Sequence, residues 1–363
     1  MTRSSLRAAC GTIAAVWTLA GVSAPAHDRI KTTVTWVREI GPLLERRCTS
    51  CHAREGYAFP LTTYGEARPW AVAIKEETLA GTMPPWGAAP GIGHFANDRT
   101  LTRHELELIA AWVDGGAPEA PRHTAEAGAP AADPESASLD DVPASDAPAQ
   151  PGTFVPLASA VITEATQRTA SVSLEPPAGM SLIAWSFEPG TAALVERADL
   201  ELGTRWLGTW TPGEGAIEFP SDAAVPLGTS ALFTARVAYR APEARVVDYS
   251  GLRIWVSREP RPRIVRETTV VRSWRTPAAV DVVAIRPTGT APVEAVARFA
   301  SGSIEPLGRF TMPSRGPHPT YRLARPLALP AGARVEVTGA VRLLYTDDAT
   351  RTVKPNVRRR PRR

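Results

Sequence analysis

Residues 117 to 152 impose the strongest constraint on what this 363-residue chain can fold into. The stretch is built from Ala, Pro, Ser, Asp and Glu, carries seven acids against a single Arg, and holds almost no large apolar residue. Such a segment cannot bury enough surface to offset the entropy of ordering it, so it reads as a semi-extended linker. The chain is thereby divided into a part before it and a part after it, each of which needs its own core.

The two parts differ in periodicity. Before the linker, Val37, Ile40, Leu43 and Leu44 stand at helical spacing within Trp36 to Arg46. Thr63-Tyr64-Gly65-Glu66 and Thr102-Arg103-His104-Glu105 are capping-box patterns, which start helices at about 64–80 and 103–115. In the second, Leu106, Ile109, Ala110 and Val113 form one apolar stripe that Gly115-Gly116 ends. After the linker the period changes to two. Arg334 to Tyr345 sets Val335, Val337, Val341, Leu343 and Tyr345 on one face and Arg334, Glu336, Thr338 and Arg342 on the other. Similar runs at 181–187, 231–239, 252–256, 280–285 and 293–299 are punctuated by Pro and Gly. This spacing over residues 153 to 350 predicts antiparallel sandwiches, as one domain or two smaller ones.

The ends of the chain read as signals. Arg3 and Arg7 precede an apolar run from Ala8 to Val22, and Ala24-Pro25-Ala26 supplies a small-residue cleavage site. The run is short of the ~20 residues a membrane span needs. Residues 1–26 are expected to be a signal peptide, the mature chain to begin at His27, and its compartment to be the periplasm. Cys10 leaves with the signal, so Cys48 and Cys51 are the remaining thiols and no disulfide framework forms. The formal charge of +4 is a property of the tail: residues 351–363 hold seven of the 41 basic residues and no acid, leaving 34 basic against 37 acidic residues elsewhere. An exported chain meets no nucleic acid routinely. The tail is expected to be solvated, with weak contact to an anionic membrane surface.

Cys48-Thr49-Ser50-Cys51-His52 carries the chemistry. A structural zinc site needs about four protein ligands, and no second Cys pair or His pair stands nearby. A thioredoxin-like centre needs a βαβ context, whereas the surroundings here read as helical. Two thiols three apart followed by an imidazole match c-type haem attachment, in which the thiols add across two porphyrin vinyl groups and His52 becomes an axial iron ligand. For the sixth position, Met83 in Gly81-Thr82-Met83-Pro84-Pro85-Trp86 is the one methionine between the signal and the linker, and the prolines hold its loop extended. The alternatives are that Met83 fills a core, or that His94 ligates. His104, in a first helical turn, is expected to be solvated. Trp36, Trp70, Trp86 and Trp112 are expected to pack the porphyrin and the core.

These phrases carry a resemblance. Arg47-Cys48 to His52, Phe59-Pro60-Leu61, Thr63-Tyr64, Met83 to Trp86, Gly93-His94-Phe95 and Trp112 to Pro118 are similar to the class I cytochrome c domain of large exported bacterial proteins. In that family the cytochrome is often followed by a domain similar to copper type II ascorbate-dependent monooxygenases, the group of peptidylglycine hydroxylation. Trp210-Thr211-Pro212-Gly213, Phe219-Pro220 and Tyr321 to Gly332 resemble phrases of that copper fold. The fold expected is therefore multidomain: a small all-α cytochrome c domain over 27–116, then an all-β antiparallel sandwich module.

The copper ligands of that family do not carry over. Glu196 and Arg197 stand where its paired histidines would fall, Ala238 at its next histidine, and Pro287-Thr288-Gly289-Thr290 at its Pro-His-Met-His segment. From residue 153 on there is one histidine, His318, with Met180 and Met312, and one histidine cannot build two imidazole-rich copper sites. His318, between prolines, is expected in a surface loop. The expected function is electron transfer through one covalent haem c, without copper and without a catalytic residue, the β module serving to dock periplasmic redox partner proteins. The alternatives are an oxidoreductase in which haem feeds a copper monooxygenase-like centre, and a haem-based gas sensor.

Overall fold

The computed structural model describes residues 32–120, 151–313, 316 and 318–347. The expected signal peptide, most of the linker and the basic tail lie outside the described residues. Among the described residues no helix is long and apolar enough to cross a membrane.

Among the described residues the α-helices lie in one corner. A π-helical turn at Trp36–Ile40 runs into α1 (Gly41–Arg47). The next element, α2 (Tyr64–Ala67), continues through a 3-10 turn at Arg68–Trp70 into α3 (Ala71–Leu79), and α4 spans Arg103–Asp114. Both capping boxes form, Thr63 with Glu66 and Thr102 with Glu105, and so satisfy N–H groups that a helix start leaves unpaired. Ile40, Leu43, Leu44, Ile109 and Trp112 make a small buried core. The Trp112 indole donates to the Pro118 carbonyl at 3.0 Å, which folds the first residues after α4 back onto this core.

The rest is β structure around two apolar cores. The first is enclosed by β1 (Thr153–Pro156), β2 (Ala160–Ile162), β3 (Thr166–Leu174), β4 (Ser181–Glu188), β5 (Val195–Leu202), β6 (Arg205–Trp210), β7 (Ile217–Glu218), β8 (Ala223–Pro226), β9 (Ala231–Tyr239), β10 (Val246–Asp248) and β11 (Gly251–Ser257). The sheet β3-β9-β5-β6 supplies Ala198, Leu200, Trp206, Phe233 and Val237 to this core, and β4, β8 and β11 supply Leu182, Trp185, Val225 and Leu252. The second core is enclosed by β12 (Arg263–Arg275), β13 (Val280–Pro287), β14 (Val293–Arg298), β15 (Ile304–Phe310), β16 (Tyr321–Leu329) and β17 (Arg334–Asp347). One eleven-stranded sheet runs through both halves. Its seam is a parallel pairing of β8 with β12, Arg263 opposite Ala223, so the module is not wholly antiparallel.

The expected small all-α domain does not form. The described residues are predominantly β, the longest helix among them has 12 residues, and part of the first segment is taken into the second sandwich. Ala88 bridges Phe310, Phe95 bridges Leu323, and both Ala88 and Phe95 are buried in the second β core. The reason lies in residues 84 to 95. Pro84, Pro85 and Pro90 with Gly87, Gly91 and Gly93 bar a helix there. Extended backbone leaves N–H and C=O groups that β15 and β16 can pair, while Trp86 and Phe95 gain more burial against a β core than four short helices offer.

Candidate functional site

The Cys48–His52 turn closes α1. The Cys48 N–H bonds to the Leu44 carbonyl at 2.8 Å, and the N–H groups of Cys51 and His52 both return to the Cys48 carbonyl, at 3.1 and 2.9 Å. Cys48, Cys51 and His52 are thus presented by a single turn. Its approach is fixed by Arg47, whose guanidinium forks onto Glu105 at 2.8 and 3.2 Å. Glu105 is buried at the start of α4. Burial works to raise its pKa, but the Arg47 fork and the Thr102 N–H outweigh that and hold the carboxyl below the ordinary value.

His52 is oriented by its backbone neighbour. Its Nδ1 lies 2.8 Å from the Phe59 carbonyl oxygen. A carbonyl only accepts, so Nδ1 carries the proton, and in the neutral ring the lone pair is on Nε2. Histidines that ligate metals are held in this way, the non-ligating nitrogen donating to a carbonyl or carboxylate. The Phe59 ring meets the imidazole edge-on at 4.9 Å and stacks on Trp70 at 4.4 Å. Phe59 and Trp70 are 45% and 46% exposed, which leaves an aromatic surface beside the imidazole.

Both thiols are free. Burial pushes the Cys48 thiol up to about 12, and Cys51 and Glu105 add to the rise. Cys51 is also raised by burial, against the pull of Arg99. Thiol–disulfide exchange uses a thiolate of lowered pKa, the opposite condition. Among the described residues no three His, Cys, Asp or Glu side chains are grouped to hold an ion, so Cys48, Cys51 and His52 do not converge as a tetrahedral zinc site requires. A covalent haem asks for a different arrangement, two thiols for the ring edge and one imidazole for the iron. The residues present fit that group: an oriented imidazole, two thiols on the same turn and apolar rings alongside.

Met83 is not part of this turn. It stands half-buried in the separate loop after α3, where its N–H bonds to the Glu77 carbonyl at 3.1 Å. His94 is exposed, and its carbonyl accepts from the Ala324 N–H at 2.8 Å. His104 is exposed in the first turn of α4. Of the four tryptophans, Trp36 and Trp112 belong to the helical core, Trp70 stacks on Phe59, and Trp86 packs into the second β core.

His318 is not a surface residue, contrary to the expectation from its flanking prolines. It is 2% exposed, with Nδ1 2.9 Å from the Tyr321 hydroxyl, and burial together with Arg286 lowers its pKa to about 4. The imidazole packs inward beside Phe310 and Tyr321. Met180 packs on the first β core and Met312 is exposed. Arg197 opposes Ala238 across β5 and β9, and its Nε lies 3.3 Å from Asp199. Glu196 is the second residue of the same strand, and Thr288 donates its N–H to the Ala340 carbonyl.

The β module reaches the Cys48–His52 turn directly, which no periodicity in the sequence announces. A Cβ on Gly213 would lie 2.7 Å from the Cys51 Sγ and 2.9 Å from the Ser50 hydroxyl. Arg99 donates to the Pro212 carbonyl at 3.0 Å, and Arg240 donates to the Tyr57 carbonyl at 2.9 Å while lying over the Tyr57 ring at 4.6 Å. Asn97 bridges to Glu214 and to the Thr320 carbonyl, at 3.0 and 2.9 Å. Burial raises the Glu214 pKa, with Arg99 opposing it. These contacts border a cleft of about 640 Å³ that Ser50, Tyr57, Arg99, Trp210 and Glu214 line.

No protein-family model matches the chain, and no curated protein does. Among solved structures it is similar to the major capsid protein P2 from bacteriophage PM2, at 10% identity and a TM-score of 0.29, over 55% of this chain and 98% of that one. A second is A223, a turret protein in Sulfolobus turreted icosahedral virus, at 12% identity and a TM-score of 0.15, over 54% and 98%. Likeness at these scores carries no argument about fold or function.

Proposed function

We propose that the protein is an exported one-electron carrier that holds one haem covalently. The observation that carries this reading is the orientation of His52, whose Nδ1 is committed to the Phe59 carbonyl on the turn that also presents Cys48 and Cys51. Haem, when bound, supplies an Fe(II)/Fe(III) couple. Cys48 and Cys51 would attach the ring, and His52, through Nε2, and Met83 would hold the iron, a pair that would raise its reduction potential. Phe59 flanks the imidazole, with Trp70 stacked on Phe59. Partners are other exported redox proteins. The reading agrees with the resemblance of residues 47–118 to class I cytochrome c. The copper-enzyme alternative is disfavoured because residues 153–363 contain one histidine, and that one is buried against Tyr321.

The test is a denaturing gel stained for haem, alongside oxidised and reduced visible spectra of the mature protein. One covalent haem per chain is expected, and Cys48→Ala with Cys51→Ala should abolish it. Haem that leaves the wild type on acid-acetone extraction would sink the proposal.

A further inference from the structure

We infer that the second sandwich positions Met83, with Tyr321 and the close approach at Gly87 setting the sixth-ligand side of the site. This rests on the reading of Met83 given above.

The loop that carries Met83 is held at both ends. On its α3 side, the N–H groups of Thr82 and Met83 both bond to the Glu77 carbonyl, at 3.0 and 3.1 Å. On the other side lies Gly87, four residues on. Its carbonyl accepts from the Thr311 N–H at 2.8 Å, and the Ala89 N–H donates to the Arg309 carbonyl at 2.8 Å. The Gly87 backbone also lies close against the Tyr321 hydroxyl. Trp86 seats its ring edge-on against Tyr321 at 4.7 Å.

Only Pro84, Pro85 and Trp86 separate Met83 from that anchor, and two of the three have φ locked by their rings. A shift at Gly87 is therefore passed to Met83 and not absorbed between them. The anchor has no slack: a Cβ on Gly87 would lie 2.7 Å from the Tyr321 hydroxyl, 3.0 Å from the His318 Cε1, and nearer still to the Thr311 carbonyl. Tyr321 is fully buried, packed on Phe310 at 4.7 Å and bonded to His318 Nδ1. His318 thus fixes the hydroxyl against which Gly87 packs. A thioether is a weak, neutral donor, so its bond to iron depends on such pre-positioning.

The experiment compares haem-loaded, full-length mature wild type with Gly87→Ala, Tyr321→Phe and Met83→Ala. Gly65→Ala, in α2 with nothing within 4 Å of the added methyl, is the control. Readouts are covalent haem on a denaturing gel, the weak sulfur-to-iron band at the red end of the oxidised spectrum, and the rate of cyanide binding to the ferric protein. Every variant should keep covalent haem. Met83→Ala and Gly87→Ala should lose the band, and Gly65→Ala should keep it. Tyr321→Phe, which removes one oxygen and keeps the ring, should bind cyanide about tenfold faster, equivalent to ~1.4 kcal/mol of lost anchoring. If Tyr321→Phe and folded Gly87→Ala retain the wild-type band and rate, the inference is overturned while covalent attachment stands. An unchanged band in Met83→Ala overturns it equally. A wild type without covalent haem overturns the proposed function itself.

Discussion

The helical corner and the second sandwich each hold a histidine whose Nδ1 is tied down, and they use it in opposite ways. His52 stands half-buried with its Nδ1 proton on a backbone carbonyl and exposed rings beside it. His318 is sealed among Phe310 and Tyr321, bonded to a side-chain hydroxyl, and held neutral by burial and Arg286. A tether to a backbone carbonyl at an edge fixes the tautomer of His52. A tether inside a core makes the imidazole a packing piece. The corner is also the weaker of the two: its core is one small cluster, whereas the sandwich core draws on six strands and on Ala88 and Phe95 from outside.

Three measurements sharpen this contrast. The largest effect is expected from Glu105→Ala, which leaves Arg47 uncompensated in a buried setting and removes the Glu105 half of the α4 capping box. A loss of about 3–5 kcal/mol is expected, seen as a lowered Tm with hydrogen exchange rising first in α1 and α4. Equal loosening of β12 and β17 would show that corner and sandwich open as one unit.

The second concerns acid. His318 has its folded pKa near 4 against an ordinary 6.5, so the unfolded state takes up the proton first and stability falls as the pH drops from 6.5 to 4. The cost reaches about 3 kcal/mol. His318→Gln should flatten urea-melt stability over that window. Glu105, lowered from 4.5, contributes stability that is lost only as the pH falls below that value, so the corner should respond later. Glu214 has the opposite sign: its raised pKa destabilises the fold as the pH climbs above 4.5. An unchanged slope in His318→Gln would place the acid sensitivity elsewhere. The smallest effect is expected from Thr102→Ala, which removes one cap acceptor and should cost about 1 kcal/mol in a thermal melt; a shift as large as that of Glu105→Ala would mean that the Arg47 fork adds little.

Several local features were legible before any tertiary contact was known. The Thr102–Glu105 box forms where its spacing implies, because the two bonds join residues three apart. The alternation over Arg334 to Leu343 appears as buried Val335, Val337, Val341 and Leu343. It fails at Leu344, which is buried as well, because β17 runs between the two cores and has both faces covered there. The position of His318 was not legible, since flanking prolines describe backbone and say nothing of what packs on the ring. Nor was the split of the first segment, in which Trp86 and Phe95 leave the helices for the sandwich.

The sequence by itself determined what is carried in a few consecutive residues: the two thiols and imidazole at 48–52, the helix caps, the strand period, and a ligand census too poor for imidazole-rich copper. These depend on covalent spacing and on which atoms each residue owns. Tertiary structure alone decided that Trp86 and Gly87, which follow Met83, would pack against Tyr321, that Gly213 would press on Cys51, and that the helices would be a corner of a β protein. Those outcomes follow from competition for apolar burial and backbone hydrogen bonds between segments more than a hundred residues apart, and no local pattern records which partner wins.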